Sequence, residues 1–120
     1  MIYSYVLSAY LTLRNYFRLC VFVKPHPSIV RGAYRIDTEL SENNTGWHIK
    51  KLVGCLTDNA SKGYDGIIVT HGTDTLQYSA AAIGYCLGLD SLPICMVSAN
   101  YPIENEKSNA MDNLHGAVSF

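Results

Sequence analysis

The run Gly66-Ile67-Ile68-Val69-Thr70, followed at once by His71-Gly72-Thr73-Asp74-Thr75, constrains the fold more than any other part of the chain. An unbroken apolar, β-branched run bounded by turn residues marks a strand buried on both faces, the kind that parallel sheets use. Leu76, Ala80, Ile83 and Leu87 then recur at helical spacing, which predicts a helix over Leu76 to Gly88 with small alanines to let it lie close to a sheet. Ile94-Cys95-Met96-Val97 reads as a second buried strand. Strand, helix and strand in this order make a parallel βαβ unit, because parallel neighbours need a long crossover between them.

The flanks extend the pattern. Ile49, Leu52, Val53 and Leu56 predict an amphipathic helix over Trp47 to Asn59, preceded by the polar loop Ser41 to Gly46 and ended by Ser61-Lys62-Gly63, where Gly63 is free to turn left-handed. After the second strand comes the polar loop Ser98 to Asn109, then a helix beginning near Ala110. The fold class is therefore α/β, part of a flavodoxin-like or Rossmann-like parallel sheet with helices on both faces. In such sheets ligands gather beyond the carboxyl ends of the strands. HGTDT and the Ser98 loop emerge there, as does the Ser41 loop if a strand precedes it.

Composition narrows the partners. Nine basic and ten acidic residues give a formal charge of -1, no footprint for nucleic acid and no pull toward an anionic membrane. Cys20, Cys55, Cys86 and Cys95 are scattered without a close pair, so no zinc site is read from them, no metal is expected, and they are taken as reduced. Cys55, Cys86 and Cys95 lie in apolar segments, where a thiol behaves as a small buried hydrophobe; reduced cysteines point to a cytoplasmic setting. Met1 to Leu13 is uncharged but too short to span a bilayer, and Arg14 and Arg18 follow the apolar run instead of preceding it as in a signal peptide. Residues 1–33 are rich in tyrosine (Tyr3, Tyr5, Tyr10, Tyr16), lack a period and are punctuated by Lys24-Pro25-His26-Pro27-Ser28. They are read as an atypical segment set before a partial domain over 34–120.

HGTDT itself has two physical readings. Thr73 or Asp74 can cap the helix that follows, which is worth about 1 kcal/mol. Alternatively the pair faces a ligand, with a hydroxyl to relay a proton and a carboxylate to grip an ammonium group. Spacing alone leaves both open.

The stretch from Gly66 to Thr75 resembles the second signature of the bacterial-type L-asparaginases, which hydrolyse asparagine to aspartate and ammonia. Ser41-Glu42-Asn43-Asn44-Thr45 is similar to that family's substrate-binding loop, and Ser98-Ala99-Asn100-Tyr101-Pro102 to its segment after the next strand. Ser108 to Leu114 resembles its SDGxxNL segment, with Asn109 and Ala110 in place of aspartate and glycine. The resemblance implies that Thr73 is a catalytic threonine working with a lysine. It also implies that Asp74 holds the substrate's α-amino group, that Ser41 binds its α-carboxylate and that Glu42 shares in holding the ammonium. His71 and Gly72 shape the turn, and Thr75 is read as an N-terminal helix residue. The substrate implied is a small molecule, L-asparagine with L-glutamine as the alternative. No cofactor is implied, and assembly of copies into a homo-oligomer is.

The family's nucleophile is a threonine in a TGGTI loop after the first strand, and this sequence has no such segment. Thr12, the nearest by position, has no glycines around it to make the turn that exposes a hydroxyl. The partner lysine belongs downstream. The expectation is thus an asparaginase-like chain that keeps substrate-gripping residues without the nucleophile. The alternatives are a non-catalytic module binding aspartate or asparagine, an interaction protein that completes its sheet with a partner or a copy of itself, or an inactive truncated product.

Overall fold

A computed structural model describes residues 18–23, 30–37, 41–88 and 92–120. Expectations resting on Met1–Leu13, on Thr12, on Tyr3, Tyr5, Tyr10 and Tyr16 and on the Lys24–Ser28 punctuation lie outside these residues.

The chain is α/β. Strand β1 (Arg18–Val23) and strand β2 (Val30–Asp37) come first, followed by a short 3-10 turn at Ser41–Asn43 and helix α1 (Gly46–Ala60). Strand β3 (Gly66–Thr70), helix α2 (Leu76–Leu87), strand β4 (Ile94–Val97) and helix α3 (Ala110–Ser119) complete it. The sheet order is β2-β1-β3-β4. Strands β3 and β4 are parallel, Ile67 beside Ile94 and Thr70 beside Val97, as the βαβ reading requires. Strand β1 runs antiparallel to both β2 and β3. It follows that β2, β3 and β4 point the same way, so their carboxyl ends share one edge. Strand β1 and the start of β2 fall within residues 1–33, and both are paired into this sheet.

Burial follows the sequence pattern for β3, whose Ile67, Ile68, Val69 and Thr70 are all buried. Side chains alternate across a strand. Ile67 and Val69 pack into a core with Leu52 and Leu56 of α1 and Ile83 of α2. Fully burying side chains of this size stabilises by about 1.5 to 3 kcal/mol each, so this cluster is what fixes β3 beneath the two helices. Strand β4 differs from the expected buried strand. It lies at the sheet's end with neighbours on one side, and its four residues are only half-buried.

Helix α2 buries the expected face at Ile83 and half-buries it at Leu76 and Leu87, and departs from it at Ala80. Ser79 and Ile83 are buried while Ala80 is exposed, because α2 packs on β3 and α1 through the Ser79–Ile83 line. Cys86 is exposed at the same helix, so it is not the buried hydrophobe expected, whereas Cys55 and Cys95 are half-buried; all three are free thiols. Gly63 (φ 69°) and Gly88 (φ 72°) take the left-handed turns that close α1 and α2. Among the described residues no helix is long and apolar enough to cross a membrane.

Candidate functional site

The loops leaving β2, β3 and β4 meet at one edge. Backbone bonds weld the last two together: the His71 N–H donates to the Val97 carbonyl at 2.9 Å. Side chains weld the first two. The Ser41 hydroxyl donates to Asp74 Oδ2 at 3.2 Å across 33 positions of sequence. The Thr75 hydroxyl donates to the Ser41 carbonyl at 2.8 Å, and Asn44 Nδ2 donates to Thr75 Oγ1 at 2.6 Å.

Gly72 explains how the loops come so close. A Cβ at this position would fall 2.6 Å from Ser41 Cβ and closer still to its Oγ, so only glycine lets the Ser41 turn lie against the strand exit.

His71 is 5 % exposed and locked on both nitrogens. Its Nδ1 lies 2.6 Å from the Gly72 carbonyl, which can only accept, so Nδ1 carries the proton. In the neutral ring Nε2 is then an acceptor, taking the Ser79 hydroxyl at 2.9 Å with Asn44 Nδ2 at 3.5 Å. A ring engaged in this way shapes the turn, as read from the sequence, and is not placed to act as a base.

Asp74 and Thr73 are exposed at this edge, and Ser41 is buried beneath them at 4 % exposure. Among the described residues no hydrogen bond engages the Thr73 hydroxyl. Neither Thr73 nor Asp74 caps α2. The N-cap is Thr75, and its hydroxyl makes no cap bond because it serves the Ser41 carbonyl instead. Glu42 is exposed on the 3-10 turn beside Ser41. Ser41 has a single hydroxyl proton and it points at Asp74, so a ligand carboxylate would have to compete for it. Asn44 was missed as a site residue in the sequence. Its signal was only a polar side chain three positions beyond Ser41, because the partners that define it lie 27 and 31 positions away.

The third loop is tied down by its own helix. Asn109 Oδ1 accepts the Asn100 N–H at 3.2 Å, Asn113 Nδ2 donates to the Ser98 carbonyl at 2.7 Å, and Ser108 Oγ donates to the Tyr101 carbonyl at 2.9 Å. Asn109 and Ala110, the two departures from the SDGxxNL pattern, are accommodated. Asn109 is the N-cap residue of α3 and Ala110 is buried.

Strand direction bears on the missing nucleophile. Arg18 and Leu19, at the start of β1, sit beside Asp37 and Thr70 at the site edge, whereas Val23 sits beside Gly66 at the opposite edge. Val23, the last residue of β1, therefore lies at the edge opposite Thr73 and Asp74. Among the described residues no three His, Cys, Asp or Glu side chains gather as metal ligands would.

The Ser41, Asn44, Asp74 and Thr75 side chains thus form a bonded cluster beyond the carboxyl end of a central strand, where ligands gather in α/β sheets. The chain matches the asparaginase N-terminal domain over residues 8–120 and belongs to that family. It is similar to a glutamyl-tRNA(Gln) amidotransferase subunit of Methanosphaera stadtmanae, at 36% identity over 80 residues, covering 67% of this chain and 18% of the relative. The corresponding amidotransferase subunit of Methanosarcina mazei is 38% identical over 88 residues, 70% of this chain and 20% of the relative. The L-asparaginase of Thermococcus kodakarensis is 35% identical over 68 residues, 57% of this chain and 21% of the relative. The chain thus spans about a fifth of the length of the curated relatives it matches. These relatives are archaeal, so the resemblance extends to the family at large and is not specific to the bacterial type. No solved structure matches the chain.

Proposed function

We propose that this chain carries the amino-acid-gripping side of an amide-hydrolysing site, which takes L-asparagine, with L-glutamine as the alternative, toward the free acid and ammonia. The observation that supports the reading most is the Ser41–Asp74 hydrogen bond beneath an exposed carboxylate. A ligand ammonium arriving at Asp74 replaces the Ser41 hydroxyl as donor. That frees the hydroxyl to turn toward the ligand's α-carboxylate, so one exchange binds both charged groups. Glu42 adds negative charge beside the ammonium, and the exposed Thr73 hydroxyl is the one left to serve the amide end. The attacking hydroxyl is not among these residues, and the last residue of β1 lies at the opposite edge of the sheet. The chain by itself is therefore a binder with little or no turnover. Loss of one member of a catalytic unit costs nearly as much as loss of all.

Relatives named as a subunit of an amidotransferase favour a second element of the reading, that this domain works beside a protein partner, which would complete the site.

The test is a titration of the chain with L-aspartate and L-asparagine, with ammonia followed in parallel. Expected is saturable binding without ammonia release. Asp74→Ala should weaken it by about ten- to a hundredfold, the usual range for a hydrogen bond to a charged group, and Thr73→Ala should change it little. Ammonia released by the parent and lost in both variants would show that a nucleophile is present after all. Absence of binding in the folded parent would end the reading.

A further inference from the structure

We propose that Thr75, oriented by Asn44, is a positioning residue that sets the Ser41–Asp74 pair; the proposal rests on the gripping role of that pair given above. Thr75 is the N-cap residue of α2, a position where a threonine hydroxyl ordinarily accepts from the helix's own unpaired N–H groups. Here it reaches across 34 positions of sequence to donate to the Ser41 carbonyl. A hydroxyl has one proton, so with that proton on Ser41 the Thr75 oxygen can only accept from its other neighbour. Asn44 therefore has to present its amide nitrogen there, which it does at 2.6 Å. The second hydrogen of the same amide faces His71 Nε2, itself an acceptor. Thr75, supported by Asn44, thus holds Ser41 at its main-chain carbonyl, while the Ser41 hydroxyl, a separate group of the same residue, donates to the exposed Asp74 carboxylate.

The arrangement carries a local cost. Asn44 Oδ1 is buried and has no hydrogen-bond partner among the described residues. A side chain chosen for stability alone would leave no such acceptor stranded. Asn44 is thus held for what its nitrogen does. Thr75 does not touch the ligand in this scheme. It fixes the main chain of Ser41, and Ser41 in turn fixes the rotamer of Asp74.

A double-mutant cycle with a conservative rescue tests this. L-aspartate affinity is measured for the full chain, Thr75→Val, Ser41→Ala and the double variant, beside Thr75→Ser. The Asp74 carboxylate carbon resonance is recorded at fixed pH without ligand. Thr75→Val keeps the shape and removes both bonds, so affinity should fall roughly five- to tenfold in the parent background, the effect of one hydrogen bond. In the Ser41→Ala background it should fall less than about twofold, because the two sites act as one unit. Thr75→Ser should restore both the affinity and the Asp74 resonance. Equal losses in the two backgrounds, or an Asp74 resonance that ignores Thr75→Val, would overturn the proposal. If the parent takes up no L-aspartate while the resonance still follows Thr75→Val and returns with Thr75→Ser, the functional reading falls and the relay stands. Should Thr75→Val fail to fold, Asn44→Ala, which removes the donor to Thr75 Oγ1 from a half-buried position, carries the same test with a smaller effect in the same direction.

Discussion

Two junctions at the same edge of the sheet are built in opposite ways. The Ser41 turn and HGTDT are held together by side chains from segments 27 to 34 positions apart, on a turn that only glycine can make. The Ser98–Asn109 loop is held by bonds that span 7 to 15 positions, made within the loop, at the N-cap of α3 and from Asn113 of that helix. Distant partners cost more chain entropy to assemble, since closing a longer loop is harder. They also couple the position of one loop to the other. The first junction presents the carboxylate and the hydroxyls, and the second supports its neighbour through the backbone, where the His71 N–H donates to the Val97 carbonyl. Coupling is concentrated where a ligand is to be gripped, and self-contained turns suffice beside it.

The largest effect that could break this contrast is expected at Gly72. Gly72→Ala forces a methyl group into Ser41 Cβ and Oγ, and neither atom is the far end of a flexible chain. Overpacking of this kind typically costs about 1–3 kcal/mol. Chemical unfolding should show that loss with L-aspartate binding abolished, because the Ser41 turn has to move away from Asp74. A neutral Gly72→Ala would mean that the two loops are not seated against each other as described.

Next in size is Ser79→Ala. Ser79 is 1 % exposed and supplies the hydroxyl that His71 Nε2 accepts. Its removal takes away the 2.9 Å donor to a buried acceptor, a loss at the lower end of the roughly 1–3 kcal/mol usual for weakening a buried hydrogen bond. Urea unfolding is the measurement. Ligand affinity should fall less than for Gly72→Ala, since His71 keeps its Nδ1 bond to Gly72. A loss in Ser79→Ala as great as in Gly72→Ala would move the weight of the junction from the glycine to the histidine.

How much of this was legible in the sequence depends on whether the signal was local. Helices α1 and α2 and strands β3 and β4 follow the predicted spans to within a residue, and α3 begins at Ala110 as expected, because these signals are local, Gly63 and Gly88 included. Strands β1 and β2 did not announce themselves. Arg18-Leu19-Cys20-Val21-Phe22-Val23 has no alternation and no turn signal in front of it, and its pairing with β3 is non-local. The site divides in the same way. Asp74 and Ser41 stood out by resemblance and prove to be bonded to each other. Asn44 and the true task of Thr75 could not be read, since a cap position looks the same whether its hydroxyl serves its own helix or a carbonyl 34 positions away.

The smallest effect expected sharpens the contrast most. Asn113 is exposed, and its amide donates to the Ser98 carbonyl at 2.7 Å. Exposed side-chain bonds exchange readily with water, so Asn113→Ala should cost no more than about 0.5–1 kcal/mol, the low end for a hydrogen bond. L-aspartate affinity should be unchanged, because the backbone bond from His71 to Val97 that joins the two loops is left in place by the substitution. Thermal unfolding and the same titration used for Thr75→Val make the comparison direct. If Asn113→Ala weakened binding as much as Thr75→Val does, the third loop would be part of the gripping unit, and a self-contained turn would be the wrong description of it.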